Sequence, residues 1–362
     1  MEMNKLEDAR AEITRIDEEM ARLFECRMHA VEQVAEYKRD RGLPIRDPAR
    51  EEALVSRCRK LIQDPDIEGR YVEFMQRLME VSCRYQETLI QGRRISFCGV
   101  EGAYAHIAAR KLFPEALCRG YGTFEEAYRA VESGECESAV LPLENSYAGE
   151  VGTVMDLLFT GSLYINQVLD LPVRHGLLGV PGASLGRIRS VWSHGQALRQ
   201  CAAYIQSHGW ETVECANTAE AARKVMELND PSVAAIASEE AADLYGLSLL
   251  EGGINDSANN TTRFAVLSRS QNRPARSGLR DSAGFILLFT VQNKAGALAQ
   301  TLNIIGAHGY NMKNLRSRPM KDLQWNYYFY IEAEGSIANE NGDMMMQELG
   351  ALCARLKLVG IY

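Results

Sequence analysis

The feature that most constrains the fold is a stretch from Leu6 to Lys38 that contains neither proline nor glycine. Its apolar residues recur at steps of three and four, which predicts one continuous amphipathic helix. At 1.5 Å per residue, a helix of about 35 residues runs roughly 50 Å, longer than a small helical domain is wide. We therefore expect a second copy of the chain to cover it. The apolar stripe comprises Leu6, Ala9, Ile13, Ile16, Met20, Leu23, Val31 and Val34.

Composition narrows the class of protein. A chain of 362 residues is too long for one hydrophobic core and suits two or three domains. Its 46% hydrophobic and 24% charged residues are typical of globular proteins, and a net charge of -8 gives no footprint for nucleic acid. The expected partners are small molecules.

The first residues, MEMNKLEDARAEI, have no apolar core, and no apolar run in the chain reaches the length of a membrane span. This favours a cytoplasmic protein that makes no membrane contact. The nine cysteines include no CxxC pair, so free thiols are expected. The six histidines lack helical metal-ligand spacing, so no metal site is predicted.

Cations interrupt the apolar stripe of the long helix. Arg27 continues the stripe four residues after Leu23, and Arg10 and Lys38 lie on it in the same way. A long cationic side chain on an apolar face commonly extends to solvent, which would explain any one of them. Three in one helix favour a buried site for an anion.

Two further helices are predicted after a break at residues 42–44. Asp47 is placed to cap the first of them, and capping alone would explain that residue. Positive groups, one acid and neutral donors on the core side of three helices would form a pocket for a small dianion. The residues selected on this basis are Arg10, Arg27, Lys38, Asp47, Arg50, Glu51, Ser82 and Gln86.

This set, over roughly the first ninety residues, resembles the all-helical chorismate mutases. The resemblance implies an intertwined homodimer in which Arg10 reaches the pocket of the partner chain. It also implies that chorismate rearranges to prephenate without a nucleophile or a cofactor. Glu51 would hold the substrate hydroxyl.

The remaining roles follow from the same resemblance. Arg10 and Arg27 would hold the two substrate carboxylates, with Arg50 as a third candidate. Lys38 and Gln86 would donate hydrogen bonds to the ether oxygen as negative charge develops there.

From Arg94 onward, strands alternate with helices, which predicts an α/β domain. Polar clusters lie beside three predicted strands: PLENSYAGEVG from Pro142, SHGQAL from Ser193 and NDSANNTTRF from Asn255. Helix capping or a turn would explain each cluster alone. Because α/β folds bind ligands at strand ends, the three together favour one shared site.

The segments GAYAHIAA, PLENSYAG, SHGQAL, SEEAADLYGL and TTRF resemble prephenate dehydratase across roughly residues 94–270. The resemblance implies two α/β lobes with the active site in the cleft between them. There prephenate would lose CO2 and water to give phenylpyruvate. The site residues that it implies are Glu144, Asn145, Ser146, Gln196, Thr262, Arg263 and Phe264.

Within that implied site, the family assigns its key hydroxyl to the position of Thr262, and Glu144 is the alternative proton donor. Arg263 would bind a substrate carboxylate. The chain departs from the family at Gly195, beside Gln196, where the family usually has proline.

The residues that follow, 270–284, are polar and lack an apolar period, which predicts a linker. Beyond them the pattern predicts the strand and helix order βαββαβ of a ferredoxin-like α+β unit. NKAGALAQTL and YNMKNLRSRP resemble an ACT domain, which implies that phenylalanine binds as an inhibitor between two such domains. The implied binding residues are Gly296, Ala297, Leu298, Asn311, Leu315, Arg316, Ser317, Arg318 and Pro319.

Arg316 is itself a departure, because the family usually has glutamate there. We expect phenylalanine to bind through main-chain groups but to inhibit less steeply than is usual in the family, and Arg316→Glu to strengthen inhibition. A solvated strand residue of no consequence is the alternative at this position.

Along its whole length, the chain resembles the bifunctional chorismate mutase and prephenate dehydratase family. The implied domains are residues 1–92, 93–272 and 273–362, and the implied partners are chorismate, prephenate, phenylalanine and further copies of the chain. Two alternatives stay open. One is a dehydratase of prephenate or arogenate whose helical domain only dimerises, and the other is a non-catalytic ligand sensor.

Overall fold

The computed structural model describes residues 2–257, 259–271, 284–320 and 326–362. The predicted linker, residues 270–284, lies almost entirely outside these ranges. The chain divides into two compact units, residues 1–93 and 94–362. No helix in the described ranges combines the length and the apolar character needed to cross a membrane.

The first unit consists of three helices, as predicted. The first covers 40 residues, about 60 Å, because nothing within it breaks the backbone hydrogen bonding. The other two begin with an aspartate cap and a proline: Asp47 accepts a hydrogen bond from the Arg50 N–H, and Asp64 from the Asp66 N–H. The helices are α1 (Glu2–Arg41), α2 (Pro48–Arg59) and α3 (Pro65–Gln91).

Much of the apolar surface of this unit is not covered within one chain. Ile13 and Leu23 of α1 are 58% and 64% exposed, and Phe74 and Val81 of α3 are also exposed. The residues that α3 does bury are Met75, Met79, Ser82, Cys83 and Gln86.

The second unit begins with an α/β lobe, here called lobe 1. Thr123 and Glu126 form a capping box that starts one of its helices. Its strands are β1 (Arg94–Cys98), β2 (Leu117–Tyr121), β3 (Ser138–Asn145), β4 (Gly149–Glu150) and β5 (Tyr164–Pro172), and its helices are α4 (Tyr104–Leu112), α5 (Phe124–Glu132) and α6 (Gly152–Thr160).

The chain then crosses into lobe 2, which has its own sheet in the order β10-β6-β9-β7-β8. The strands are β6 (Gly176–Gly179), β7 (Ser190–His194), β8 (Glu211–Cys215), β9 (Val233–Ala237) and β10 (Ser248–Glu251). The helices are α7 (Gly195–Gln200), α8 (Ala202–His208), α9 (Thr218–Leu228) and α10 (Glu239–Tyr245).

Two adjacent segments connect the lobes. The chain leaves lobe 1 through residues 173–175 and returns through residues 252–260 to form β11 (Thr261–Ser268), which pairs with both β3 and β5. The two connections hydrogen-bond to each other: the Val173 N–H donates to the Asn260 carbonyl over 2.8 Å, and the Ile254 N–H to the His175 carbonyl over 3.0 Å.

The C-terminal part has the element order βαββαβ that the sequence predicts. Its four strands form the antiparallel order β13-β14-β12-β15, and β15 continues the sheet of lobe 1 by pairing with β5. The elements are β12 (Gly284–Thr290), α11 (Ala297–Ala307), β13 (Asn311–Pro319), β14 (Tyr327–Glu334), α12 (Glu340–Leu352) and β15 (Arg355–Ile361).

Two candidate active sites

A pocket of about 120 Å³ lies among the three helices of the first unit. Seven of the eight residues that the sequence analysis selected line it together with apolar residues such as Val34 and Leu54. The seven are Arg27, Lys38, Asp47, Arg50, Glu51, Ser82 and Gln86.

The eighth residue, Arg10, does not line this pocket. It is exposed on α1, and at 1.5 Å per residue it lies roughly 25 Å along the helix from Arg27. No arginine side chain spans that distance. Only the Arg10 of another chain would enter this pocket, so the predicted role of Arg10 stays a prediction.

The cations of the pocket are held by neutral oxygen atoms. Arg27 donates from Nη1 to Ser82 Oγ, whose own hydroxyl donates to the Leu78 carbonyl over 2.8 Å. Lys38 Nζ donates to the Ile45 carbonyl in the loop before α2. Burial lowers the pKa of Arg27, which means that its charge has lost hydration without a full counter-charge. An anionic ligand would supply that counter-charge.

Gln86 has unused hydrogen-bonding capacity in the same pocket. It is buried, its Oε1 has no partner among the described residues, and its Nε2 makes only a long contact of 3.4 Å with the Ser82 carbonyl. A half-turn of the amide exchanges the two atoms and presents N–H donors to the cavity. A buried amide left in this condition fits a site that awaits a ligand.

Cys83 is a pocket residue that the sequence analysis did not select. Its Sγ lies 3.9 Å from Glu51 Oε1, and burial, followed by the nearby Glu51 carboxylate, raises the pKa of its thiol. The available signal was its spacing, because Cys83 lies three residues before Gln86 on the same side of α3.

In the second unit, Thr262 and Asn145 face each other across β11 and β3. Asn145 Nδ2 donates to Thr262 Oγ1 over 2.9 Å and to Asn260 Oδ1 over 2.8 Å. Asn145 Oδ1 accepts from the N–H groups of Tyr147 and Ala148, which fixes the orientation of the amide. The Thr262 hydroxyl is therefore an acceptor in this pair, and its hydrogen has no acceptor in the described part of the chain.

Ser146 plays a structural part in this cluster. Its hydroxyl donates to the Asn259 carbonyl over 2.7 Å and accepts from the Thr261 N–H over 3.0 Å, which anchors the segment before β11. Asn260 was not selected from sequence. It is 5% exposed, and its Nδ2 has no partner among the described residues, so it is a free donor beside Asn145.

A second polar group connects the lobes. The Tyr104 hydroxyl donates to the Arg174 carbonyl over 2.6 Å and lies 3.2 Å from His175 Nδ1, while His175 Nε2 lies 2.9 Å from Gln200 Oε1. Burial lowers the pKa of His175. Gln200 is 7% exposed, and its Nε2 has no partner among the described residues.

Sequence reasoning selected none of these three side chains, although Tyr104 lies in GAYAH and Gln200 lies four residues after Gln196. The Asn255 amide bonds the His175 N–H and the Val173 carbonyl, and the Val173 N–H in turn donates to the carbonyl of Asn260, beside Asn145. A cavity of about 180 Å³ opens beside Tyr104. It is lined by Tyr104, Ile107, Leu171, Pro172, Arg174, Glu239 and Glu240.

Gln196 is half-buried at the start of α7, where its N–H bonds His194 Nδ1 at 3.3 Å. The glycine before it has a local explanation. A Cβ on Gly195 would lie inside van der Waals contact of the Glu214 carboxylate on the neighbouring strand β8. Glu214 therefore occupies the space that the proline usual in the family would need.

The positions of Glu144 and Arg263 differ from the prediction made from sequence, which placed both side chains in one pocket with Thr262. Neighbours along a strand face opposite sides of a sheet, so Arg263 turns away from the Thr262 side. Its guanidinium binds Asp170 over 2.8 and 3.1 Å and Glu332 over 2.8 and 2.9 Å. Glu144, opposite Arg263 in the sheet, accepts from Arg316.

Phe264 lies on the Thr262 side of the sheet, within the core. It is 2% exposed and packs in the core of lobe 1 with Phe97 and Val266.

The residues predicted to bind an effector divide between two faces of β13. Arg316 and Arg318 are half-buried and pair with lobe 1, Arg318 contacting Glu150 and Asp156. The predicted effector contacts of this segment are largely main-chain contacts, so its role in an effector site stays a prediction. The exposed residues of β13 are Asn311, Lys313, Leu315, Ser317 and Pro319.

The segment before and within the start of α11 is the other part of that prediction. Gly296 has the left-handed φ of 83°, which glycine adopts without strain, and Ala297 begins the helix. A nearby cavity of about 220 Å³ includes Leu298 but none of the other predicted effector residues. Its lining is Val291, Gln292, Asn293, Lys294, Leu298, Asn326, Tyr327 and Phe329.

Comparisons with known proteins match a family to each of the two regions that carry these sites. Residues 9–87 match the chorismate mutase type II family, and residues 95–272 match the prephenate dehydratase family. A bifunctional chorismate mutase/prephenate dehydratase of Enterobacter agglomerans is 34% identical over 99% of this chain and 96% of its own length.

Two solved structures resemble the second unit in sequence and fold. The prephenate dehydratase of Arthrobacter aurescens, in complex with L-Phe, has a TM-score of 0.68 and 25% identity, covering 74% of this chain and 89% of that one. GqqA, described as a novel type of quorum quenching acylase, has a TM-score of 0.69 and 32% identity, covering 75% and 97%.

Proposed function

Because the chain belongs to the bifunctional chorismate mutase/prephenate dehydratase family and has both activities, we propose that its two reactions occur in the two sites described above. The ligand-sensor alternative no longer stands, since the family is enzymatic. The observation that carries the assignment is the convergence of seven selected residues on one pocket. A helical domain that served only dimerisation would need no such pocket.

In the helical pocket, Arg27 and Arg50 bind the carboxylates of chorismate and Glu51 binds its hydroxyl. The reaction breaks one C–O bond as one C–C bond forms, so it needs a held conformer and no covalent partner. Lys38 and Gln86 donate to the ether oxygen, where negative charge develops in the transition state. Asp47 caps α2 and so fixes the first turn of the helix, which carries Arg50.

The enzyme works as a homodimer or a higher oligomer in this proposal. The exposed apolar stripe of α1 is matched by exposed Phe74 and Val81 on α3, and the two would bury each other between chains. The partner's copy of Arg10 would complete the anion site.

In the second unit, the Thr262 hydroxyl donates the proton with which the C4 hydroxyl of prephenate leaves as water, while CO2 departs and the ring becomes aromatic. Threonine is a weak acid, but the hydrogen bond from Asn145 stabilises charge that develops on its oxygen. The free N–H groups of Gln200 and Asn260 bind substrate oxygens. Arogenate, the amino-acid analogue, stays the alternative substrate.

The C-terminal part, residues 273–362, is an ACT domain that binds phenylalanine and inhibits the dehydratase of residues 93–272, and residues 1–92 form the mutase. The βαββαβ order and the left-handed turn at Gly296 support this proposal. So does the L-Phe complex of the Arthrobacter aurescens dehydratase. The protein works in the cytoplasm.

Separate assays with chorismate, prephenate and arogenate test the two sites. Arg27→Ala should lower mutase turnover about a hundredfold, since it removes a charge-assisted contact, and should spare the dehydratase. Arg15→Ala, at an exposed ion pair elsewhere on α1, is the matched control. Loss of both activities in a folded Arg27→Ala protein would contradict separate sites.

A further inference from the structure

Two charged side chains of the C-terminal strands lie on the face of the lobe 1 sheet opposite to Thr262. Arg316 of β13 pairs with Glu144 of β3, and Glu332 of β14 pairs with Arg263 of β11. Glu144 and Arg263 are directly opposite each other in the sheet. The C-terminal part therefore supplies one opposite charge to each of two adjacent strands.

The pair between Arg263 and Glu332 is built for a fixed geometry. Both Glu332 oxygens accept from Arg263 Nη1, and the Tyr362 hydroxyl donates to the same carboxylate, whose side chain is only 4% exposed. The opposite edge of the guanidinium binds Asp170. Salt screens such a buried pair weakly, and removing either partner leaves a buried charge unpaired.

These contacts fall where the strand ladder is irregular. The pairing of β11 with β3 shifts register between Arg263 and Phe264, because β3 has one extra residue there. A bulge interrupts ladder hydrogen bonds and changes the direction of nearby side chains. The direction of the Thr262 side chain, next to the bulge, then depends on the regular pairing of β11 with β5 and on side-chain contacts rather than on the β3 ladder alone.

We propose that Glu332 and Arg316 are positioning residues for the dehydratase reaction. They bind Arg263 and Glu144 on the face of the sheet opposite to Thr262. The two strands are thereby fixed at the bulge, so that Thr262 and Asn145 meet on the other face. This inference rests on the proposed role of Thr262. It makes the C-terminal part a component of the dehydratase site even when no effector is bound.

A reciprocal charge exchange in the full-length protein tests this. Arg316→Glu and Glu144→Arg, each alone, should lower dehydratase kcat about tenfold with KM within about twofold. The double variant, which restores opposite charges, should return kcat to within about threefold of wild type. Glu332→Gln, nearly isosteric, should lower kcat in the same way. Arg119→Glu, at an exposed pair with Glu135 on lobe 1, should change nothing.

Mutase activity, assayed in every variant, reports that the protein is folded. Wild-type kcat in both single variants and in Glu332→Gln overturns the inference, as does a double variant no better than the worse single one. Thr262→Ala, measured beside them, distinguishes a failure of the positioning role from a failure of the proposed dehydratase site. If Thr262→Ala keeps full activity, the site assignment itself fails. If it alone loses activity, only the positioning role fails.

Discussion

The Asn145 amide donates to the Thr262 hydroxyl over 2.9 Å, and two backbone N–H groups hold the other end of that amide. The arrangement decides which way the hydroxyl hydrogen is directed. Since Asn145 occupies a lone pair of Thr262 Oγ1, the Thr262 O–H is left to donate to a ligand. That is the role the dehydratase needs at the departing hydroxyl of prephenate.

Removing the hydroxyl should remove the reaction. Thr262→Ala should lower dehydratase kcat by about 10²- to 10⁴-fold, the range typical of a lost general acid, while mutase activity persists. Thr262→Ser is the closer test, because it keeps the hydroxyl and loses only the methyl group. Phenylpyruvate formation measures both. A near-normal rate for Thr262→Ala would mean that the segment NNTTRF has no catalytic role and serves only as a turn.

The apolar stripe of α1 predicts a dimer contact. Leu23→Glu should dissociate the proposed dimer, because a carboxylate on a covered apolar face loses hydration without a partner, and mutase activity should fall with it. Sedimentation analysis measures the assembly. Leu61→Glu, at an equally exposed leucine outside the stripe, is the control. A Leu23→Glu protein that stays dimeric would place the contact elsewhere.

His175 predicts a pH dependence of stability. Burial lowers its folded-state pKa below the ordinary value of 6.5, so the unfolded chain binds the proton first as the pH falls. The stability that neutral His175 contributes is complete above pH 6.5 and is lost as the pH drops from 6.5 through the folded-state pKa. His175→Gln should remove this decrease in stability with falling pH, measured as the urea midpoint of the second unit. His29→Gln, in the first unit, should not.

Gly152 is required by a side chain from the C-terminal part. A Cβ at the start of α6 would lie inside van der Waals contact of the Arg318 guanidinium, which binds Glu150 and Asp156. Gly152→Ala should displace it and lower the free energy of unfolding by about 1–3 kcal/mol, the usual cost of overpacking. Gly186→Ala, where a Cβ meets open space, is the control in the same denaturation experiment.

The structure also revises the expectation for Arg316. A glutamate there would face Glu144 and Glu150, which both contact the present arginine. Like charges at that distance repel, so Arg316→Glu should first impair the basal dehydratase, and stronger phenylalanine inhibition is no longer its expected main effect.

Helical periodicity predicted the mutase pocket better than strand sequence predicted the dehydratase site. Residues such as Ser82 and Gln86, four apart on a helix, share a face, so a list of spacings is also a list of neighbours. Thr262 and Arg263 are adjacent in sequence and were placed in one cluster. The alternation of side chains along a strand puts them on opposite faces of the sheet. Glu332, from strand β14, binds Arg263 on the face away from Thr262.

Other site residues had no pattern to reveal them. His175, Gln200 and Asn260 come from three separate segments, and their significance lies in burial and in unused N–H groups. Both properties depend on tertiary packing, which local sequence does not encode. By contrast, the helix cap at Asp47 depends on local sequence, and it was predicted.

The paired connections between the lobes limit how the cleft can open. Because the crossings at residues 173–175 and 252–260 are tied to each other by backbone bonds and by Asn255, they form one ribbon. A ribbon resists shear and stretching but can bend and twist. The easiest relative motion of the lobes is therefore a hinge rotation about the ribbon. Any change in the angle between the lobes would therefore use this one hinge, which separates the lobe that carries Gln200 from the lobe that carries Thr262.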